Sequence, residues 1–277
     1  MSGILTIAQL TWLEARRRRI VLAALLCGVA FLAVFATAVY FMPTPRDPTG
    51  AGALATRLQL QTMPIAGLYA VNFLAVAFAV MLPVDSLSGE ISSGIIQTIA
   101  SKPIRRLDIL LGKWIVFWFM LAAYILFMAL GIVGTMWLLK GFVQQNLLPA
   151  LGLMQLEASV FLSITLAGGV RFSTVTNGIV AFAFYALAFV GGWIEQIGVF
   201  VGNAASRYIG TAISLVSPTD ALGRLAMHVL QPPVISQVQV SPFSAGAVPT
   251  PAMVWWSVAY IVAALALATR WLQRRPL

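Results

Sequence analysis

Six apolar runs, each long enough to cross a bilayer as a helix, constrain this chain more than any other feature. They cover residues 20–42, 64–84, 110–139, 147–170, 177–200 and 252–271. About 20 apolar residues at ~1.5 Å rise each match the ~30 Å hydrocarbon layer. The rest of the composition agrees. Hydrophobic residues make up 60% of the 277 and charged residues 9%, against about 25% charged in a soluble domain. Mean hydropathy is +0.93. A water-soluble globule would have to leave much of that apolar surface exposed. A soluble enzyme, a disordered chain and a coiled coil are therefore excluded. The predicted fold is an all-α integral membrane protein with six transmembrane helices.

The charge pattern sets the expected orientation. The net charge of +9 points to lipid headgroups and loop sidedness rather than to nucleic acid. With the N-terminus inside, the inner side receives Arg16, Arg17, Arg18, Arg19, Lys102, Arg105, Arg106, Lys113, Arg171, Arg270, Arg274 and Arg275. The outer side receives Arg46, Arg57, Lys140, Arg207 and Arg224. That division is twelve against five of the 17 Lys and Arg, so both termini are expected to be cytoplasmic. Glu157 makes the fourth run the weakest. No cleavable signal peptide is read before the first run, which is too long for a signal core. Cys27 and His228 stand alone, so no intrachain disulfide, Cys-based metal site or clustered zinc site is expected. No catalytic constellation is found.

Three segments outside the runs carry further information. Residues 1–19 read as an interfacial helix with Ile4, Leu5, Ala8 and Trp12 on one face, anchored by Arg16, Arg17, Arg18 and Arg19. Residues 85–109 form a cytoplasmic connection. At 100° per residue, Ser88 to Ala100 gathers Ile91, Ile95 and Ile99 on one face and Glu90, Ser93, Gln97 and Thr98 on the other. Pro103 ends that helix. Residues 202–251, expected outside, read as two short amphipathic helices broken at Ser217 and Pro218, then a proline-rich extended stretch.

The cytoplasmic connection resembles the signature of ABC-2-type permeases, the membrane subunits of many bacterial ABC transporters. The residues that carry the resemblance are Asp85, Glu90, Gly94, Pro103, Arg106, Gly112 and Lys113. Ile95 stands where the family often has Thr. The resemblance covers about 30 residues in motif and the whole chain in layout. It implies a transmembrane half-transporter, paired with a second copy or a paralogue, in a bacterial or archaeal cytoplasmic membrane. It also implies a separate ABC ATPase that carries ATP and Mg, since no cofactor is expected on this chain itself. The expected ATPase-coupling residues are Glu90, Ile91, Gly94, Ile95, Ile99, Lys102, Pro103, Arg105 and Arg106. The isoleucines would seat in a cleft of the ATPase or against the spans, and Glu90, Arg105 and Arg106 would set register by charge. Gly112 and Lys113 are not a phosphate-binding loop, because Leu107 replaces its first Gly and Trp114 follows the Lys.

Glu157, about 15 Å into its span, is a candidate for the translocation path, because a carboxyl at that depth is costly. A hydrogen bond between spans is the other reading. Glu195 reads as an interfacial carboxylate. Gly198 and Gly202 have the spacing of a close helix contact. The tryptophans read mostly as an interfacial belt. The function expected is ATP-driven export by a permease subunit. A non-transporting scaffold subunit and an ion-coupled carrier using Glu157 are the competing readings.

Overall fold

The computed structural model describes residues 3–42, 51–93, 105–231 and 248–274, with the side chains of residues 51–57 and of Phe200 left undescribed. These residues form helices, with no strand among them. A short helix α1 (Gly3–Arg17) leads into α2 (Arg19–Tyr40), α3 (Ala51–Met81) and the single turn α4 (Ser88–Ser92). The long α5 (Arg106–Lys140), α6 (Leu147–Arg171) and α7 (Thr174–Val201) follow. Two shorter helices, α8 (Ala204–Val216) and α9 (Thr219–Leu230), precede the last, α10 (Ala252–Arg274). Six of them (α2, α3, α5, α6, α7 and α10) are long and apolar enough to cross a membrane. Helices suit that setting because they satisfy their own backbone hydrogen bonds where no water can.

Helices α5 and α6 form the centre. On α5, Leu110, Phe117, Leu121, Met128, Ile132 and Met136 make one buried stripe at helical spacing. On α6, Ala158, Phe161, Leu162 and Leu166 are fully buried. Side-chain bonds join the two helices. Trp114 Nε1 donates to Ser163 Oγ at 2.9 Å, and Gln155 Nε2 donates to the Trp118 carbonyl at 3.1 Å. Trp114 thus serves as a strut between the two helices. The outer helices are apolar on their exposed faces. Leu22, Leu26 and Val34 on α2, Val175 and Ile179 on α7, and Val262 on α10 all face outward. That is the surface a protein in lipid presents.

The first helix and the end of the last helix both pack near the start of α5. Arg106, at the start of α5, donates to the last carbonyls of α10, those of Leu272 and of Gln273 at 3.0 Å. Such a cation offsets the unsatisfied carbonyls of a helix C-terminus. At the same end α1 lies across α5, burying Ile7, Thr11 and Ala15. Gly112 permits the contact: a Cβ there would meet Ile7 Cβ at 2.9 Å and the Ile4 carbonyl oxygen at 3.1 Å. The face expected from the sequence is therefore divided. Ile4 and Ala8 turn partly toward α5, while Leu5 and Trp12 stay exposed. Arg16, Arg17 and Arg19 are exposed, and Arg18 pairs with Glu14.

At the opposite end, polar side chains close the turns. Lys140 Nζ donates to the Met42 carbonyl at 2.8 Å, and Gln144 Nε2 donates to the Leu230 carbonyl, the last of α9, at 2.8 Å. Gly202 ends α7 at a positive φ of 74°, which an L side chain disfavours. Asn203 then caps α8 through Ala205 N at 2.9 Å. The chain doubles back, so α8 packs along α7. Gly198 serves that hairpin, since a Cβ there would meet Ser206 Cβ at 2.8 Å. The Gly198–Gly202 spacing is accounted for within one chain. The break at Ser217 and Pro218 separates α8 from α9, and α9 inserts against α6.

Candidate functional site

Two polar constellations stand apart from the apolar core. The first lies at the end that carries both termini, in the turn from Leu82 to Ser92. It is tied to three spanning helices. Toward α5, Lys113 Nζ donates to Glu90 Oε1 at 2.6 Å, to Ser86 Oγ at 2.9 Å and to the Ser86 carbonyl at 3.3 Å. Lys113 is 2% exposed, and the Glu90 side chain is 13% exposed. Burying a lysine so deeply is costly unless a paired anion and further acceptors replace its water. Glu90 Oε2 is buried without a hydrogen-bond partner among the described residues.

Toward α7, Thr174 Oγ1 donates to Asp85 Oδ1 at 2.8 Å and lies 2.9 Å from Ser88 Oγ. Asn177 Nδ2 donates to the Val84 carbonyl at 3.3 Å and to the Thr165 carbonyl of α6 at 2.9 Å. The turn itself continues from the end of α3. This segment is therefore continuous with α3 and bonded to α5 and α7.

The structure places the sequence-predicted residues unevenly. Glu90 faces Lys113 inside the chain, and Ile91 packs against the main core. Arg105 is exposed, and Arg106 binds the end of α10. Gly94, Ile95, Ile99, Lys102 and Pro103 lie outside the described residues. Lys113 was part of the motif, but its pairing with Glu90 has no local sequence signal. Lys113, buried within α5, has none of the loop geometry that holds a phosphate.

The second constellation lies at membrane depth. Glu157 sits ten residues after Leu147 on α6 and is 1% exposed. Its Oε2 accepts from Asn72 Nδ2 of α3 at 2.8 Å. Gly223 of α9 closes over the pair, since a Cβ there would meet Glu157 Oε2 at 2.9 Å and Asn72 Nδ2 at 3.1 Å. Three helices thus converge on one carboxyl. Asn72 escaped the sequence reading because one amide in an apolar run shows nothing of a partner 85 residues away.

Beside it, α9 carries an ion cluster. Arg224 Nη2 lies 2.7 Å from Glu195 Oε2 of α7. Arg224 Nε lies 2.8 Å from Asp220 Oδ2. Burial pushes the Asp220 carboxyl up to about 6, with Arg224 pulling in the other direction. Glu195, expected as an interfacial carboxylate, binds α7 to α9. Arg224, expected in an outer loop, is 7% exposed because both carboxylates surround it.

No curated protein matches this sequence. Residues 5–277, essentially the whole chain, match the family model described as ABC-2 family transporter protein, and the chain belongs to that family.

Proposed function

We propose that this chain is the permease subunit of an ATP-driven exporter in a bacterial or archaeal cytoplasmic membrane, worked by a separate ABC ATPase that carries ATP and Mg. Family membership supports the general part of this reading: the family consists of transporter membrane proteins, generally non-catalytic, that work with an ABC ATPase. The observation that carries the rest is the turn from Leu82 to Ser92. It joins α3, α5 and α7 through the Lys113–Glu90 and Thr174–Asp85 contacts. A partner that pushes on this turn moves three spans at once. The segment that follows, with Ile95, Ile99, Lys102 and Pro103, is the contact surface offered to the ATPase. Glu157 and Asn72, beneath α9, are the candidate lining of the path. The permease acts with a second copy or a paralogue.

The test is ATP hydrolysis by the partner ATPase, alone and after reconstitution with this chain. The expected outcome is a changed hydrolysis rate with the wild type. Glu90→Gln and Arg106→Ala should remove that change while membrane content of the chain stays constant. An undiminished response in both variants would contradict the coupling role of this segment.

A further inference from the structure

We propose that a lateral cavity between α6, α7 and α10 seats an acyl chain of an anionic phospholipid, with Arg171 holding its headgroup phosphate. The cavity has a volume of about 300 Å³ and is walled mainly by Ile164 and Ala167 of α6, Val180 and Ala181 of α7, and Ala264 and Leu267 of α10. Alanines on all three helices keep the slot open. At ~10–12 Å across, an α-helix is too thick to enter it.

Its walls are mostly apolar, with Tyr260 and Asn177 contributing polar side chains, and its position is lateral. Val180 is 42% exposed and Leu267 is 43% exposed, so the slot opens on the flank that faces lipid. The polar wall residue Asn177 has its amide turned away, toward the Val84 and Thr165 carbonyls.

Charge is found at one end only. Trp271 lines the cavity, and the Arg171 guanidinium sits 5.6 Å from its ring centre. Arg171 also continues the lining stripe of α6, one turn beyond Ala167 and Gly168, and is exposed. Arg274 continues the α10 stripe beyond Leu267 and Trp271 in the same way and is also exposed. The start of α7, with its positive dipole end, lies at the same mouth. An apolar slot with cations, an aromatic ring and a helix N-terminus at one end matches a molecule with one apolar tail and one anionic head. The leaflet is the one at the end that carries both chain termini.

The test is native mass spectrometry of the full chain, delipidated in detergent and titrated with dioleoyl phosphatidylglycerol or dioleoyl phosphatidylcholine. It needs no ATPase and is independent of the proposed transport function. We expect one phosphatidylglycerol per chain to be retained in preference to phosphatidylcholine. Arg171→Ala should weaken that binding about fivefold, the worth of one cation near a headgroup, and weaken phosphatidylcholine less, because its choline cation offsets the phosphate charge. Ala263→Phe, at an exposed position that lines the slot, should weaken both lipids by obstructing the tail.

Equal binding of both lipids by wild type and both variants would overturn the proposal. Displacement of the bound lipid by glycerol 3-phosphate would also overturn it, by reducing the site to a headgroup site. So would a change of oligomer mass in Ala263→Phe with lipid binding intact, which would make the slot a seam between copies.

Discussion

Lys113 tolerates 2% exposure because Glu90 and two Ser86 oxygens replace the water it has lost. Such a pair gives little net stability over apolar residues of the same volume, yet removing one member leaves a buried charge uncompensated. Lys113→Met alone should therefore destabilise the chain by about 3–5 kcal/mol, and Glu90→Leu alone by a similar amount. The double variant should recover most of the loss, and thermal unfolding in detergent would measure all three. Strictly additive losses would mean that the two side chains do not interact. Glu157 obeys the same logic at membrane depth. Glu157→Gln keeps an acceptor for Asn72 Nδ2 and should unfold near the wild-type temperature. Glu157→Ala orphans that amide and should cost about 1–2 kcal/mol. Equal behaviour of the two variants would show that the bond contributes nothing.

At the scale of elements, α1 depends on one missing side chain. Gly112 admits Ile7, and the atoms in the way of a larger residue include the Ile4 carbonyl oxygen, which is backbone and cannot rotate aside. Gly112→Val should lift α1 from α5 and speed tryptic cleavage at Arg16 to Arg19 several-fold, with the six spans still in the membrane. An unchanged cleavage rate would mean that α1 is held by its outer face instead.

The six long helices were legible in the sequence because bilayer thickness imposes a length and an apolar composition that few other folds share. The α8–α9 break was legible because Ser217 and Pro218 interrupt two amphipathic patterns. What was not legible depends on contacts between distant residues. The face of α1 followed from Gly112, about 100 residues away. The use of Gly198 followed from the α7–α8 hairpin, which a spacing rule does not distinguish from a contact between copies. Lys113 meets Glu90 across 23 residues, and Asn72 meets Glu157 across 85. No local pattern encodes either pair.

On the scale of the whole molecule, the two polar constellations occupy different depths and share α3. The terminal turn binds α3, α5 and α7, while Asn72 and Glu157 join α3 to α6 under α9. Under the proposed function, a push on the turn reaches the membrane interior through α3, which carries both the turn and Asn72. The proposed function requires that something outside the chain supply that push. Isolation of the tagged protein from its native membrane in mild detergent, followed by mass spectrometry of the co-isolated proteins, tests that requirement most directly. The account predicts an ABC ATPase in stoichiometric amount. Its reproducible absence, with other membrane subunits in its place, would contradict the account and favour a scaffold role.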